Sequence, residues 1–334
     1  MINFRFHLVS LIAVFLALGL GILVGSTVID QGIVNRLDSE INSVRKENSS
    51  REATNKQLSQ QNSRLQQFID KTAAFVGDGR LFHRSVAVVA ERGVDGGVVK
   101  RSEQALQAAG AEVPGVLWLD GAWALDSDSK VQALQSALGL TGTASSLRDS
   151  AFNLLVRRLA KVPPTKPAAT TTTQAPTGSA PDESTTTLPT APQVDAITAL
   201  EKAGFLTITD GNLSAFATFP SHPVDVLVVT GDNSEFAGGD LTPTFVRAVT
   251  AAGLPTVVGA VYDGGGNQPP ERGASLAPIL NDQNLSGEVS TVDDLELVQG
   301  QVAAVLSLEI VGSGTVGHYG YGTGASAPLP PHPS

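Results

Sequence analysis

Residues 85–119 have the sequence SVAVVAERGVDGGVVKRSEQALQAAGAEVPGVLWL, and this stretch decides the fold class of the chain. Its start, residues 85–90, predicts a buried strand, because unbroken apolar runs are typical of parallel strands covered on both faces. A helix is predicted over residues 98–109, where Gly110 stops it, and a second strand over residues 113–119. Strand, helix and strand in this order make one βαβ unit.

A second βαβ unit follows later in the chain. The run VDVLVVT at residues 224–230 predicts a strand, residues 242–252 a helix and residues 256–261 another strand. Further helices are predicted at residues 130–138, 147–161, 195–203 and 295–310. The last of these follows Ser290 and Asp293, which have the spacing of a capping box.

A Thr/Pro-rich segment at about residues 162–194 separates the two units. Seven prolines and ten threonines lie between Pro163 and Pro192, a composition that cannot pack a core and predicts a disordered, solvated segment. The segment is either a linker between two domains or an insertion in one. Each half has only two good strands, so we expect one α/β domain at residues 82–311, with a Rossmann-like, mostly parallel sheet and helices on both faces.

The amino terminus carries an apolar run, LVSLIAVFLALGLGILV, at residues 8–24. Gly25 and Ser26 extend it to a transmembrane helix at residues 8–26, just long enough for a hydrocarbon core of about 30 Å. A cleaved signal peptide is the alternative, but the run is long for one and no clean cleavage site follows. Arg5 favours a cytoplasmic location for residues 1–7, with the bulk of the chain outside.

Residues 33–76 contain no proline or glycine and predict a long coiled-coil helix. Asparagine occupies three consecutive a positions of the heptad repeat, which favours a parallel two-stranded homodimer. The residues predicted to form the dimer interface are Ile41, Asn48, Asn55, Leu58, Asn62, Leu65 and Ile69. The alternatives are a helix that packs on its own domain and a solvated stalk without a partner.

Composition excludes several classes of site. The chain has no cysteine, a single methionine and a net charge of -10, so disulfides, sulfur ligands for Cu(I) and an interface for nucleic acid are not expected. Its five histidines, none of them within four positions of another, are His7, His83, His222, His318 and His332. We expect residues 312–334 to form a flexible Gly/Pro-rich tail, in which His318 and His332 are weak candidates for a metal site.

Three glycine-rich loops follow predicted strands, at residues 93–97, 231–240 and 263–267. They contain neither a dinucleotide-binding nor a Walker motif, so ordinary tight connections are expected and no cofactor is predicted. Asp293 and Asp294 are interpreted as favourable charges at the start of a helix. No pattern of nucleophile and base predicts an enzyme.

Four segments, together with the Asn- and Gln-rich coiled coil after the first of them, resemble the MctB family of actinobacterial copper-transport proteins, also described as mycobacterial outer-membrane channel proteins. They are FHLVSLIAVFLALGLGILVGS at residues 6–26, SVAVV at 85–89, STVDDLELVQGQVAAVLSL at 290–308 and GHYGYGTGASAPLP at 317–330. The resemblance implies a part in copper efflux or copper resistance, with a proposed channel in the outer envelope. It implies no ligand residues for copper.

Three functions therefore compete at this point. The first, implied by the resemblance, is an anchored envelope protein that takes part in copper transport. The second is a non-enzymatic scaffold, in which the coiled coil dimerises and the α/β domain binds a protein or a cell-wall partner. The third is an α/β module that binds a small ligand at its glycine-rich loops.

Overall fold

A computed structural model describes residues 4–161, 195–264 and 271–331 of the chain. The side chains of residues 26–34, 65, 66 and 68–77 lie outside this description. The predicted Thr/Pro insertion at residues 162–194 and His332 also lie outside it. Two compact units make up the chain, residues 1–68 and residues 69–334.

The first unit consists of helix α1, Phe4–Gly77, which continues into the second unit. The predicted transmembrane and coiled-coil segments are thus parts of one continuous helix. Residues Phe4–Gly25 have a mean hydropathy of 2.7, and within the described residues this is the one helical segment long and apolar enough to cross a membrane. The apolar side chains of this segment, such as Phe15 and Leu16, are exposed.

Helices and strands alternate through most of the second unit. Its strands are β1 Ser85–Glu91, β2 Val116–Leu119, β3 Leu206–Thr209, β4 Val224–Gly231, β5 Thr256–Val261, β6 Ser290–Val292 and β7 His318–Tyr319. Its helices are α2 Gly96–Ala108, α3 Asp128–Leu138, α4 Ala144–Leu159, α5 Ala196–Lys202, α6 Leu213–Thr218, α7 Leu241–Ala251, α8 Ala277–Leu280, α9 Gln283–Glu288 and α10 Val298–Val311.

The seven strands described form one sheet in the order β3-β2-β1-β4-β5-β6-β7. Every neighbouring pair is parallel except β2 and β3, which confirms the prediction of a mostly parallel sheet. β1 pairs with β4, although the Thr/Pro segment lies between them in the sequence. This pairing agrees with an insertion into one sheet rather than a linker between two sheets.

Alternate residues of the central strands enter two separate hydrophobic cores. Ala87 and Val89 of β1 pack on one face of the sheet against α3, α4, α5 and α7. Val86 and Val88 pack on the other face against α2 and α10. Both faces are therefore covered by helices, which explains the unbroken apolar sequence of β1 and β4.

The start of the last helix differs from the prediction. Ser290 lies in strand β6, and α10 begins only at Val298 without a side-chain cap, so the predicted capping box is wrong. Asp293 and Asp294 precede the helix and are buried, with 1% and 0% of their surfaces exposed. The carboxylates follow a strand that is only three residues long, and such a strand has no sequence pattern that separates it from a helix start.

The carboxyl-terminal segment also differs from expectation. Sequence analysis assigns residues 312–334 to a flexible tail, whereas His318–Tyr319 pair with β6 as the edge strand β7. Tyr319 is buried in the core on the α10 face. Glycine-rich sequence around a two-residue strand hides this pairing, because the strand depends on its neighbour rather than on its own propensity.

Candidate functional site

The carboxyl ends of β1 and β4 form the edge at which doubly wound sheets usually bind ligands. Here the last residue of β1, Glu91, is fully buried and accepts hydrogen bonds from three hydroxyl groups. Thr230 Oγ1 donates to it over 2.7 Å, and Ser234 Oγ and Thr242 Oγ1 also donate. The carboxylate therefore ties β1, β4 and α7 together.

The glycine-rich loops at this edge contact each other. Glu235 N donates to Arg92 O over 2.8 Å, and a Cβ atom at Gly93 would lie 2.2 Å from Asn233 O. Gly93 also has a φ of +97°, which favours glycine. These two loops thus act as close connections, as expected from the sequence. The third loop, at residues 263–267, lies partly outside the described residues.

A cavity of about 320 Å³ opens beside these loops. Trp118 forms part of its wall, and the guanidinium carbon of Arg92 lies 5.3 Å from the Trp118 ring centre. Lys100, which also lines the cavity, is bound to Asp210 over 2.5 Å. The side-chain hydrogen bond to Asp210 and its charge raise the pKa of Lys100. The cavity therefore offers a small ligand one aromatic side chain, Trp118, and two cationic side chains, Arg92 and Lys100.

The two carboxyl-terminal segments of the family resemblance meet at the ends of β6 and β7. Asp293 accepts hydrogen bonds from the backbone N–H groups of Tyr321, over 2.9 Å, and Gly322, over 2.8 Å. A Cβ atom at Gly320 would lie 2.2 Å from Asp293 Oδ1, so only glycine fits there. Asp293 therefore holds the chain after β7 in place, and the motif residues have a clear structural role.

A second acid of this segment, Glu296, binds the loop before α8. Its carboxylate accepts hydrogen bonds from Arg272 and, over 3.0 Å, from the backbone N–H of Tyr262. The guanidinium carbon of Arg272 lies 4.4 Å from the Tyr262 ring centre, a cation–π geometry. Thr323 N in turn donates to Arg272 O over 2.9 Å. The acids at this edge thus serve as anchors for three loops.

Asp294 is the exception at this edge. No neighbouring residue in the described part of the chain donates a hydrogen bond to either of its carboxylate oxygens. Burial, together with the charges of Asp293 and Glu296, raises the pKa of Asp294 to about 7. Its carboxyl group consequently titrates near neutral pH. Helix α10 lies against it, since a Cβ atom at Gly300 would lie 2.0 Å from Asp294 O.

The predicted metal ligands lie at the sheet edge or outside the description. His318, in β7, is half-buried, and its Nδ1 lies 3.0 Å from Thr291 Oγ1. Burial lowers the pKa of His318, and a bond to backbone Ser286 opposes that shift. His332 lies outside the described residues, so its distance from His318 is not defined. The metal-binding role of these two histidines stays a prediction.

Two other histidines come together at the opposite, amino-terminal edge of the sheet. His83 Nδ1 and His222 Nε2 are 3.4 Å apart, although 139 residues separate them in sequence. Sequence analysis missed this pair because it considered only histidines close together in sequence. The signal that could have found it is the pairing of the two strongest predicted strands, since each histidine lies two residues before one of them.

A carboxylate supports one histidine of the pair. Glu112 Oε2 lies 3.7 Å from His222 Nδ1, the ring nitrogen that faces away from His83. Burial alone would raise the pKa of Glu112, but hydrogen bonds from Ser85 and Ser221 and the nearby His222 ring lower it. Glu112 is therefore a carboxylate at neutral pH. Within the described residues, no group of three or more His, Cys, Asp or Glu side chains is arranged to hold a metal ion.

A family model for "Copper transport outer membrane protein, MctB" matches residues 1–330 of the chain. The chain belongs to the MctB family. Two similar MctB proteins, each named "Copper transporter MctB", come from Mycobacterium bovis and Mycobacterium tuberculosis. Each is 28% identical to this chain, and the match covers 97% of the chain and 98% of the relative. The match to the MctB family therefore covers the chain from the apolar segment to the segment that contains β7.

Proposed function

We propose that this chain is a membrane-anchored protein of the cell envelope that takes part in copper transport. The observation that carries the proposal is the family match over residues 1–330, together with relatives named copper transporters along their whole length. The apolar segment Phe4–Gly25 supports anchoring, with residues 1–7 in the cytoplasm and the bulk of the chain outside as a single-pass protein. The role we propose is efflux, and it is non-enzymatic.

Copper tolerance of a deletion strain tests this function directly. A strain without the protein should grow less well than its parent as copper is raised, and the full chain should restore growth. A matched zinc series controls for general damage to the envelope. Equal copper tolerance of the deletion strain and its parent would contradict the proposed function.

A channel in the outer envelope is the finer form of the same proposal. One apolar segment of 22 residues cannot enclose a pore alone, so we propose that several chains or a partner must assemble it. Planar bilayers with the purified full chain should then show discrete conductance steps whose frequency rises steeply with protein concentration. A flat current at every concentration would restrict the proposal to a role in copper transport without a pore.

We further propose that α1 forms a parallel homodimer through the predicted coiled coil. Ile41 and Leu58 are apolar and 41% and 52% exposed, and Asn48, Asn55 and Asn62 are exposed on the same helix. A second copy of the helix would cover them. Leu65 and Ile69 belong to the same predicted interface, but their side chains lie outside the described residues.

Replacing Asn48, Asn55 and Asn62 with Leu tests the dimer. Asparagine at a positions selects dimers at a cost in stability, so the triple variant should raise the stability of the oligomer or change its size. Sedimentation of the full chain in detergent measures both. A monomer at all concentrations for both proteins would contradict the homodimer.

The sheet order supports the description of the domain as Rossmann-like. Strands β2 and β3 lie on one side of β1, and β4 to β7 follow on its other side, so the strand order reverses between β1 and β4, as in doubly wound folds. The short antiparallel β3 and the edge strand β7 depart from the idealised pattern. Superposition of an experimental structure on doubly wound domains is the test.

A scaffold is the second candidate function. It is favoured by the part of α1 between residues 27 and 68, about 60 Å long at 1.5 Å per residue, which would set the α/β domain apart from the membrane. The partner would be an envelope protein or the cell wall. Unchanged copper tolerance together with recovery of one cross-linked envelope partner would favour the scaffold over copper transport.

A small-ligand-binding module is the third candidate. The cavity beside Trp118 and Arg92, of about 320 Å³, is the feature that favours it. A change in tryptophan fluorescence on addition of nucleotides or other anions would support this function. Because Trp118 lies in the cavity wall, a fluorescence that stays constant would contradict it.

A further inference from the structure

We propose that His83 and His222 form a copper-binding site at the amino-terminal edge of the sheet. The choice of copper among imidazole-binding metals rests on the proposed copper role, whereas the site itself rests on geometry. The two nitrogens that would bind the ion are His83 Nδ1 and His222 Nε2, which are 3.4 Å apart.

Strand pairing brings the two histidines together. β1 and β4 are parallel neighbours, and Ser85 pairs with Val224 at the start of both strands. His83 and His222 each lie two residues before this paired position, so the sheet register places them side by side. Both histidines lie in the turns just before these strands, so the pairing of β1 with β4 brings the two turns together.

The ring geometry indicates a common point of approach. The ring centres are 5.3 Å apart and the two nitrogens are 3.4 Å apart. With a ring centre about 1.15 Å from its nitrogen, a point about 2.1 Å from both nitrogens satisfies both distances, at an angle of about 110°. This length is a normal metal–imidazole distance. A linear N–H···N hydrogen bond would place the ring centres further apart.

Glu112 is placed to orient His222. Its Oε2 lies 3.7 Å from His222 Nδ1, and Ser221 holds the carboxylate through its N–H, over 2.9 Å, and its Oγ, over 3.1 Å. In the tautomer that carries its proton on Nδ1, this proton lies on the side of the carboxylate, and the lone pair of Nε2 is left for the ion. Carboxylate–histidine–metal arrangements of this kind fix the tautomer and increase the basicity of the ligand.

The backbone at His83 adds to the orientation of its ring. His83 has a φ of +63°, in the left-handed region that non-glycine residues rarely adopt. The Phe82 ring packs against the imidazole with ring centres 4.1 Å apart. A strained conformation of this kind persists where the surrounding structure imposes it, and such conformations cluster at functional sites.

The donor set selects the class of metal. Two imidazoles without a sulfur ligand suit copper, zinc or nickel, and Cu(II) binds such nitrogen sites most strongly among the divalent ions. Two protein ligands leave the remaining coordination positions to solvent or to a partner, and His222 is 39% exposed. The site is therefore open to the solvent, from which an ion can enter.

Cu(II) titration of the full chain in detergent, followed by electron paramagnetic resonance, tests the site. The wild type should bind one Cu(II) per chain with hyperfine structure from two nitrogens. His83→Asn and His222→Asn should each remove one nitrogen and weaken binding at least tenfold, and Glu112→Gln should weaken it by about 10–100-fold with both nitrogens kept. His318→Asn is the matched control and should leave the signal unchanged.

Asparagine is chosen at position 83 because it tolerates the left-handed backbone, so that the variant keeps its fold. Tryptophan fluorescence should show unchanged thermal unfolding of each variant without copper, and a copper-dependent rise in Tm only where both histidines are present. Full copper affinity in the doubly substituted protein, or no copper binding by the wild type, would overturn the proposal. If the two imidazoles only form a hydrogen bond with each other, the wild type would bind no copper.

Growth on copper separates this inference from the proposed function. If the wild type restores copper tolerance to a deletion strain and the double variant does not, both stand. If the double variant restores tolerance fully, the site has no part in transport and the copper role stands without it, and the titration decides whether the histidines bind the metal. If the deletion has no effect on tolerance, the copper role fails, and the titration alone decides whether the histidines bind the metal.

Discussion

The buried acids at one end of the central sheet contrast with the exposed histidines at the other end. At the carboxyl-terminal edge, Glu91 and Asp293 are buried, and each accepts hydrogen bonds that tie separate segments together. At the amino-terminal edge, His83 and His222 are exposed and approach each other. The edge that usually binds ligands thus holds the fold together, and the opposite edge presents groups that a metal can reach.

This difference shows that the position of a site follows from which polar groups remain accessible, not from the fold class alone. Substitutions at the carboxyl-terminal edge should change the stability of the domain, whereas those at the amino-terminal edge should change metal binding. The only two tryptophans, Trp118 and Trp123, lie in the α/β domain, so their fluorescence reports its unfolding in the full chain.

The largest loss of stability is expected from Glu91→Ala. The substitution leaves three buried hydroxyls without their acceptor and opens a cavity, so the free energy of unfolding should fall by about 4 kcal/mol. Denaturant titration followed by tryptophan fluorescence measures it. The exposed Glu288→Ala is the control, with an expected change within about 0.5 kcal/mol. A loss below about 1 kcal/mol at Glu91 would mean that its hydrogen bonds do not hold this edge.

Gly300→Ala is expected to have the next largest effect. The new Cβ atom would lie 2.0 Å from Asp294 O, so α10 must shift and the free energy of unfolding should fall by about 3 kcal/mol. Gly287→Ala in α9 is a matched control, because a Cβ atom there meets nothing within 4 Å. That variant should be more stable by up to about 1 kcal/mol. A lower free energy of unfolding for Gly300→Ala together with a higher one for Gly287→Ala would support the close packing at Asp294.

Asp294→Asn should change how stability depends on pH. Burial raises the pKa of Asp294 to about 7, so the folded protein holds this proton at pH values where the unfolded chain has lost it. This contribution is fully present below about pH 4 and is lost as the pH rises through about 7. Between pH 5 and pH 8 the wild type should lose about 2 kcal/mol more than the variant. The exposed Asp149→Asn should follow the wild type, and parallel curves for wild type and Asp294→Asn would contradict the assigned titration.

The smallest effect on stability is expected at the amino-terminal edge. His222→Asn changes an exposed side chain, so the free energy of unfolding without copper should stay within about 0.5 kcal/mol of the wild type. The same variant should lose the rise in Tm on addition of Cu(II). A loss of about 2 kcal/mol without copper would show that His222 is a structural residue and would remove the contrast between the two edges.

The sequence allowed prediction of the parts of the fold that have their own local signal. The predicted strands at residues 85–90, 224–230 and 256–261 agree with β1, β4 and β5 to within one residue. A long β-branched run can lie buried between helices whichever strands pair with it, so its own sequence is enough to predict it. In contrast, β3, β6 and β7 have four, three and two residues, and their pairing depends on strands distant in sequence.

The candidate sites were harder to predict for a related reason. Asp293 and Asp294 precede an apolar helix, which is also the pattern of favourable helix-dipole charges, and only the pairing of β6 with β7 shows that they are buried. His83 and His222 have no local spacing at all. Their proximity depends on the register of β1 against β4, which no single stretch of sequence encodes.

An experimental structure of the full chain with Cu(II), with anomalous diffraction recorded at the copper absorption edge, tests the contrast between the two edges most directly. If the two histidines bind copper, one anomalous peak per chain is expected about 2.1 Å from His83 Nδ1 and His222 Nε2, and no peak is expected beside Asp293 or Asp294. A peak at the carboxyl-terminal edge or at His318 instead, or no peak with copper in excess, would contradict it.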